Sequence, residues 1–321
     1  MIRLTEFLLI FAAQKIAMAR FINPFTDIGF KRIFGQELSK PLLIDFLNSL
    51  LEGEHHITNL AFKDKEYPPL YGEGRTIIYD VYCETDTGER IIVEMQNRLR
   101  SNFKDRTLFY AAEAISRQGE KGKDWDYDVK AVYLVAFIND VWQNVIPCYF
   151  RIDVKLMDIK RYTVFSDKLR MIYIQLPLFT KEVDECEDNF DRWIYVLKHM
   201  DTLPRLPFAV NSAVFKRLEE ISDLTELTRE ERMKYDTAIR QYRDTLNMFK
   251  DEKERGRAEG RAEGLAEGRA EGHAEGRAEG HAEGHAEAML SVVRNMKAAG
   301  LGVGVIQQAT GLSPEVIARM E

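Results

Sequence analysis

The feature that most constrains the fold is a β-hairpin pattern between residues 76 and 96. Its two arms read TIIYDVYCET and ERIIVEMQ, which have the apolar, β-branched composition of strands. Asp86-Thr87-Gly88 joins them as a three-residue turn, with glycine where a positive φ is needed. Centring this turn on its middle residue places Asp80 directly opposite Glu94, and Gln96 then points to the same face.

Two carboxylates that face each other on apolar strands repel, and their burial costs hydration energy. A divalent cation between Asp80 and Glu94 would offset both costs, because hard ions such as Mg²⁺ or Mn²⁺ favour carboxylate oxygens. Such an ion polarises phosphoryl oxygens and generates hydroxide from water. The alternative is a solvated sheet face, on which both carboxylates are exposed and only the alternate positions are buried. The spacing alone leaves both interpretations open.

The segments around the hairpin predict a mixed α/β domain in the order helix, three strands, helix, strand. Further strands are expected at 148–154 and 171–176, and the pattern becomes helical beyond about residue 185. We therefore expect one domain over residues 18–180 and a helical region over residues 181–250. The helices are predicted at 39–53 and 103–118, and the strands at 57–67, 76–85, 90–96 and 129–138.

The first 17 residues are treated separately from the fold. Residues 7–13 read FLLIFAA and resemble a short secretory signal, but the run is flanked by Glu6 and Lys15 and is too short to span a bilayer. We interpret residues 1–17 as an extension outside the folded domain, with Met18 as an alternative start. Three cysteines provide no disulfide framework, so we expect a cytoplasmic protein without a membrane span.

The distribution of charge argues against a broad nucleic-acid-binding surface. The chain has a net charge of −7, and residues 251–287 hold 6 basic and 11 acidic residues, so the rest of the chain is nearly neutral. DNA binding would need a local basic groove. The best candidate phosphate track is Arg98, Arg100, Lys104 and Arg106. The alternative is a solvated helix start.

Several strings of the sequence resemble one family. Asp80 followed by Glu94-Met95-Gln96 resembles the D…(D/E)xK core of the PD-(D/E)XK nucleases. The wider sequence is similar to the transposase-like branch of that superfamily, whose members are nucleases that promote recombination. The remaining strings that carry the resemblance are NPFTDIGFKRIFG (23–35), LLIDFLNSLL (42–51), IIVEMQ (91–96), FKDRTLFYAAEAISRQ (103–118) and DYDVKAVYLVAFIND (126–140).

The resemblance implies a PD-(D/E)XK nuclease-like domain and a Mg²⁺- or Mn²⁺-dependent endonuclease that hydrolyses double-stranded DNA in recombination or mobile DNA. Asp80 and Glu94 would bind the metal, and Gln96 would occupy the lysine position of the motif. Because glutamine carries no positive charge, Lys31 or Arg106 would supply it. The alternative is a catalytically inactive nuclease fold that binds DNA or assembles into oligomers.

Asp27 matches the acidic residue of the family's first conserved segment, PFTDIGFK. It would serve there as a third acidic ligand or as an orienting group. The alternative is structural, because Asp27 precedes an amphipathic stretch and could cap the N-terminus of a helix. The sequence leaves the two roles open.

The C-terminal part begins with a tetrapeptide repeat over residues 251–287, in which glycine recurs at every fourth position from Gly256 to Gly284. Eight glycines oppose an isolated helix by about 6–8 kcal/mol. The segment is therefore either a flexible linker or a helix stabilised by self-association, and we expect a homo-oligomer formed through it.

Residues 288–321 resemble a helix-turn-helix module. Gly311 is predicted in the turn, and Ile306, Leu312 and Ile317 are predicted to point inward. Reading of DNA by this module and simple helical packing both remain open, and we favour packing.

Overall fold

The computed structural model describes residues 19–68, 76–119, 126–142 and 149–320. The proposed extension over residues 1–17 lies outside these described residues. The chain forms two compact units that divide after Asp244. The first contains the sheet and the hairpin, and the second contains the repeat and the C-terminal module.

The first unit is built on a six-stranded mixed sheet with the strand order β1-β4-β5-β6-β8-β7. The antiparallel pairs are β1–β4, β4–β5 and β7–β8, whereas β5, β6 and β8 run parallel. Strands β2 and β3 form a separate two-stranded sheet. The strands are β1 Leu60–Phe62, β2 Glu66–Tyr67, β3 Ile77–Ile78, β4 Val81–Thr85, β5 Arg90–Gln96, β6 Val132–Ile138, β7 Arg151–Asp158 and β8 Thr163–Gln175.

Helices cover both faces of the sheet, as expected for central strands without polar alternation. Helices α1, α2, α4 and α5 pack over the larger core cluster, and α3 packs over the smaller one. The mixed α/β class predicted from the sequence is confirmed. The helices are α1 Asp27–Phe34, α2 Lys40–Leu50, α3 Phe103–Ser116, α4 Asn189–His199, α5 Ala213–Ser222, α6 Arg229–Ala298, α7 Val303–Thr310 and α8 Pro314–Arg319.

Helix α2 begins close to its predicted position, but both α1 and α2 differ from the sequence expectation in their caps. The Oγ1 atom of Thr26 accepts a hydrogen bond from the Gly29 N–H at 3.0 Å, so Thr26 is the N-cap of α1. The prediction of Asp27 as the N-cap is therefore wrong, and Asp27 is the first residue of α1. Ser39 precedes α2 as predicted, but its hydroxyl donates to the Gln36 carbonyl at 3.1 Å and does not cap that helix.

The hairpin has the predicted turn and register. Val81 pairs with Val93 and Cys83 pairs with Ile91, as expected for a turn centred on Thr87. The Thr85 N–H donates to the Glu89 carbonyl at 2.9 Å, which closes the three-residue connection. Gly88 adopts a φ of 94°, a conformation that glycine reaches at little cost.

The strands on either side of the hairpin differ in length from the sequence expectation. The predicted strands at 57–67 and 76–85 are each divided in two, because the pairing between them shifts by one residue. Strand β8 starts at Thr163 rather than near residue 171, since its polar first half pairs with β7 outside the core. The central strand β6 is confirmed within residues 129–138.

In the second unit the repeat is helical and forms part of α6. All eight repeat glycines are exposed, and a Cβ built on each would meet no atom within 4 Å. The terminal module has the predicted turn at Gly311, with a φ of 73°, and Ile306 and Ile317 are fully buried against Val293. Of the helices in the described ranges, none is both long and apolar enough to cross a membrane.

Candidate active site

A shift in strand pairing places Asp80 at the edge of the hairpin. The Lys63 N–H donates to the Tyr82 carbonyl at 2.9 Å, and the Tyr79 N–H donates to the Lys65 carbonyl at 3.0 Å. Between these two hydrogen bonds the chain advances three residues, from Tyr79 to Tyr82, on one strand and only two on the other. This extra residue is a β-bulge. Bulges re-aim side chains next to functional sites. Here the bulge frees the Asp80 N–H from the ladder, and it donates to Oε1 of Glu94 at 3.3 Å.

The two carboxylates are held together by the backbone of the hairpin. Oδ2 of Asp80 accepts a hydrogen bond from the Met95 N–H at 2.8 Å, while Oε1 of Glu94 accepts the one from Asp80. Glu94 is only 5% exposed. Among the described residues, neither Oδ1 of Asp80 nor Oε2 of Glu94 has a hydrogen-bond partner. The alternative of a fully solvated sheet face is therefore wrong for Glu94.

The electrostatics of the pair favour a bound cation. Burial, followed by the negative charge of Asp80, raises the pKa of Glu94 to about 8. Burial also raises the pKa of Asp80, although the Met95 N–H opposes this effect. Because each carboxylate disfavours ionisation of the other, the pair retains a proton near neutral pH unless a cation compensates the charge.

The donor set suits a hard divalent ion, because carboxylate oxygens are the ligands that Mg²⁺ and Mn²⁺ prefer. In the described part of the chain, no group of three or more His, Cys, Asp or Glu residues could hold a metal ion. Asp80 and Glu94 would therefore be the side-chain ligands, and water or a phosphate oxygen would complete the coordination shell.

Gln96 is oriented by an arginine on α3. The Arg106 Nη2–H donates to Oε1 of Gln96 at 2.5 Å, and the Gln96 Nε2–H donates to the Arg98 carbonyl. The Arg106 guanidinium also lies 5.2 Å from the centre of the Phe103 ring. Its positive charge lowers the pKa of both Asp80 and Glu94. Arg106 thus brings a positive charge next to Gln96, the residue that the resemblance places in the lysine position.

Asp27 and Lys31 lie close to the pair but bind each other. Their side chains form an ion pair at 2.7 Å on the surface of α1, where Asp27 is 64% exposed. The charge of Asp27 still raises the pKa of Asp80, and that of Lys31 lowers it. Within the described ranges, Asp27 is not part of a group of three or more residues that could hold a metal ion.

The remaining basic residues of the predicted phosphate track follow β5. Arg98 and Arg100 are exposed on the connection to α3, and Lys104 is exposed at the start of that helix. The Lys104 ammonium lies 4.8 Å from the centre of the Trp142 ring. These three cations therefore lie on the chain segment that leaves the Gln96 end of the sheet.

The sequence reasoning missed one cation of the site, Lys65. It lies on the segment between β1 and β2. Burial, followed by the positive charge of Lys31, lowers the pKa of its ammonium, and the negative charges of Asp27 and Asp80 oppose this effect. The pairing of its segment with the Asp80 strand brings it there, and no turn motif in the sequence fixes the register of that pairing.

Comparison with known proteins adds an independent observation. The sequence model of one family, described as PD-(D/E)XK nuclease family transposase, matches residues 24–252. The chain belongs to this family. The match includes Asp27, Asp80, Glu94 and Gln96, and it ends where the repeat begins. No curated protein and no solved structure matches the chain.

Membership of the PD-(D/E)XK nuclease family transposases indicates nuclease or transposase-like activity, with DNA as the substrate. PD-(D/E)XK nucleases typically use divalent metals, which agrees with the donor set of the carboxylate pair. The six-stranded mixed sheet and the long C-terminal helix are consistent with a domain of this kind.

Proposed function

We propose that this protein is a metal-dependent endonuclease that hydrolyses phosphodiester bonds of double-stranded DNA at Asp80 and Glu94. One observation carries the proposal. A nearly fully buried carboxylate faces a second one, and each retains an oxygen without a hydrogen-bond partner among the described residues. Folding gains nothing from this arrangement, because the two charges repel and lose hydration.

Each residue of the site has a distinct role in this proposal. Oδ1 of Asp80 and Oε2 of Glu94 would hold Mg²⁺ or Mn²⁺, which supplies Lewis acidity and a hydroxide nucleophile when bound. Gln96 would hydrogen-bond the attacking water or a phosphate oxygen. Arg106 fixes the amide of Gln96 and adds positive charge where negative charge develops. The Asp27–Lys31 pair would help to orient the strand of DNA that passes α1.

The alternative function is a nuclease fold without activity that binds DNA or assembles into oligomers. The glutamine at position 96 favours this alternative, since it cannot act as a general acid. The carboxylate pair favours activity, because an inactive protein would keep its electrostatic cost without a benefit. We further propose that the protein acts in recombination or on mobile DNA, and that it is cytoplasmic.

The repeat helix supports a proposal of self-association. It is exposed along residues 251–288, and its eight glycines disfavour an isolated helix by about 6–8 kcal/mol. Close packing against the repeat of a second copy would offset this cost, because glycine lets helix backbones approach closely. Light scattering after size-exclusion chromatography tests this: we expect a mass above that of one chain, and a lower mass after removal of residues 256–287.

Cleavage of a supercoiled plasmid tests the proposed activity. We expect the wild-type protein to cut with Mg²⁺ or Mn²⁺ and to be inactive in EDTA, and Asp80→Ala to be inactive with either ion. Asp86→Ala is the matched control, because Asp86 lies exposed in the turn of the same hairpin. Cutting by Asp80→Ala at the wild-type rate would contradict the site. A folded wild-type protein that cuts no DNA with any divalent ion would favour the inactive alternative.

A further inference from the structure

The backbone of Lys65 pairs with the strand segment that carries Asp80, and the charge of Asp80 acts on the Lys65 ammonium. Its carbonyl accepts the N–H of Tyr79, the residue before Asp80, at 3.0 Å. Cross-strand partners share a face, and Tyr79 packs in the core cluster beneath α3 together with Ile92. Glu94 follows Ile92 by two residues, so it points to that same face. The strand geometry therefore places Lys65, Tyr79 and Glu94 on one face.

Three cations interact electrostatically with Asp80, and two of them are already engaged. Lys31 binds Asp27 at 2.7 Å, and Arg106 binds Gln96 at 2.5 Å. Lys65 is partly buried, yet within the described ranges it forms neither a hydrogen bond from its ammonium nor an ion pair. Partial burial of an ammonium without a partner is unfavourable. The position of Lys65 thus suits an anion that is not part of the folded chain.

The charges of the groups closest to the pair suit a phosphodiester as that anion. Asp80 and Glu94 together neutralise one divalent cation, and Asp27 and Lys31 neutralise each other. A phosphodiester bound to the cation adds one negative charge, and hydrolysis adds a second in the transition state. Arg106 and Lys65 supply two positive charges, so Lys65 completes the balance only when DNA is present.

We propose that Lys65 is a catalytic residue whose ammonium binds a non-bridging oxygen of the scissile phosphate. This inference rests on the proposed function. In the reaction, a bond forms between the water oxygen and phosphorus, and the bond from phosphorus to the leaving sugar oxygen breaks. The water gives up one proton and the leaving oxygen gains one, both by exchange with solvent. Lys65 keeps its protons and stabilises the charge that develops on the phosphate oxygens.

Two substitutions separate this role from a structural one. Lys65→Met removes the charge and keeps the aliphatic stem, and Lys65→Arg keeps the charge. Lys63→Met is the matched control. Lys63 is two residues away in the sequence, and its ammonium forms an ion pair with Glu84 at 2.8 Å. As Lys65 has no partner to lose among the described residues, Lys65→Met should melt at or above the wild-type temperature.

The decisive readout is the salt dependence of DNA binding. Fluorescence anisotropy measures the Kd of a labelled duplex in Ca²⁺ between about 50 and 200 mM KCl. We expect Lys65→Met to weaken binding about 3- to 10-fold and to lower the slope of log Kd against log salt by about 0.9, the value for one phosphate contact. Lys65→Arg should keep the wild-type slope, as should Lys63→Met. In single-turnover cleavage with Mg²⁺, Lys65→Met should be about 100-fold slower.

The outcomes separate this inference from the proposed function. Wild-type affinity and slope in Lys65→Met would overturn the role of Lys65, even if the wild-type protein cuts DNA normally. A wild-type protein that binds no duplex would overturn it as well. If the wild-type protein binds DNA but cuts none with any divalent ion, the proposed activity fails, and the binding series still decides whether Lys65 contacts a phosphate.

Discussion

Replacing Glu94 with glutamine removes one charge of the buried pair and keeps the shape of the side chain. The amide oxygen of the new side chain can still accept the hydrogen bond that the Asp80 N–H donates to Oε1 of Glu94. Burial and the charge of Asp80 raise the pKa of Glu94 from its ordinary value of 4.5 to about 8. The substitution therefore isolates the electrostatic cost of ionising Glu94 in the folded protein.

The sign of the effect follows from proton linkage. Between pH 4.5 and about 8 the folded protein keeps a proton on Glu94 that the unfolded chain has released. The free energy of unfolding of the wild-type protein therefore falls as the pH rises through this range. At 1.36 kcal/mol per pH unit, the free energy of unfolding falls by about 5 kcal/mol over this range. Relaxation of the site reduces this loss, so we expect about 2–5 kcal/mol. Glu94→Gln should be more stable than wild type by that amount at pH 8.5, and equally stable near pH 4.5.

Urea unfolding in EDTA, followed by circular dichroism from pH 4.5 to 9, measures this difference. Glu84→Gln is the control, because Glu84 lies on the same hairpin but pairs with Lys63 and Arg90. That variant should instead lose about 1 kcal/mol at neutral pH. Saturating Mg²⁺ should stabilise the wild-type protein and leave Glu94→Gln nearly unchanged. A Glu94→Gln variant less stable than wild type at pH 8.5 in EDTA would refute the reasoning.

Three further outcomes are expected. Gln96→Ala should slow single-turnover cleavage less than Asp80→Ala does, because Gln96 contributes neutral hydrogen bonds whereas Asp80 is a charged ligand; equal losses would contradict the assignment of the metal pair. Arg106→Met should lower the cleavage rate about 10- to 100-fold while Asp105→Asn, one position away on the exposed side of α3, leaves it within about twofold. Changing the eight repeat glycines to alanine should leave the helical signal in circular dichroism at least as strong, since each replacement favours the helix by about 0.8–1 kcal/mol, and should leave the cleavage rate of the first unit unchanged.

The parts of the site that lie within one hairpin could be predicted from the sequence. The turn at Asp86-Thr87-Gly88 fixes the register, because a three-residue loop with glycine leaves one pairing of the two arms. That register brings Asp80 and Glu94 together, as the hydrogen bond between them shows. The central strand within residues 129–138 could also be predicted, since its continuous apolar run is typical of a strand covered on both faces.

The parts that depend on distant pairings could not be predicted. The bulge beside Asp80 arises where residues 63–65 pair with residues 79–82, and no local pattern marks the shift. Lys65 was missed because no turn motif aligns its segment with the Asp80 strand. Arg106 was a candidate for the missing positive charge, but only the position of α3 over the sheet shows that it binds Gln96. A lysine at position 96 would therefore lie beside a guanidinium, so restoring the family motif there should impair the site rather than improve it.

The caps show a different limit of sequence reasoning. Thr26 and Asp27 are adjacent, and both residue types cap helices well. The start of α1 is set by the burial of Phe30, Ile33 and Phe34 against the sheet, and this packing makes Thr26 the cap and Asp27 the first helical residue. A one-residue difference thus makes Asp27 the first helical residue, where it forms an ion pair with Lys31, rather than the cap.

The central claim is that Asp80 and Glu94 form a cation site, and isothermal titration calorimetry with Mg²⁺ or Mn²⁺ tests it most directly. Titrations near pH 7 in two buffers with different ionisation enthalpies give both the affinity and the number of protons released. We expect saturable binding with release of close to one proton per ion, because the cation displaces the proton that burial holds on Glu94. Binding should be lost in Asp80→Asn and retained in the turn variant Asp86→Asn. Wild-type binding in Asp80→Asn, or no binding to the folded wild-type protein, would contradict the account.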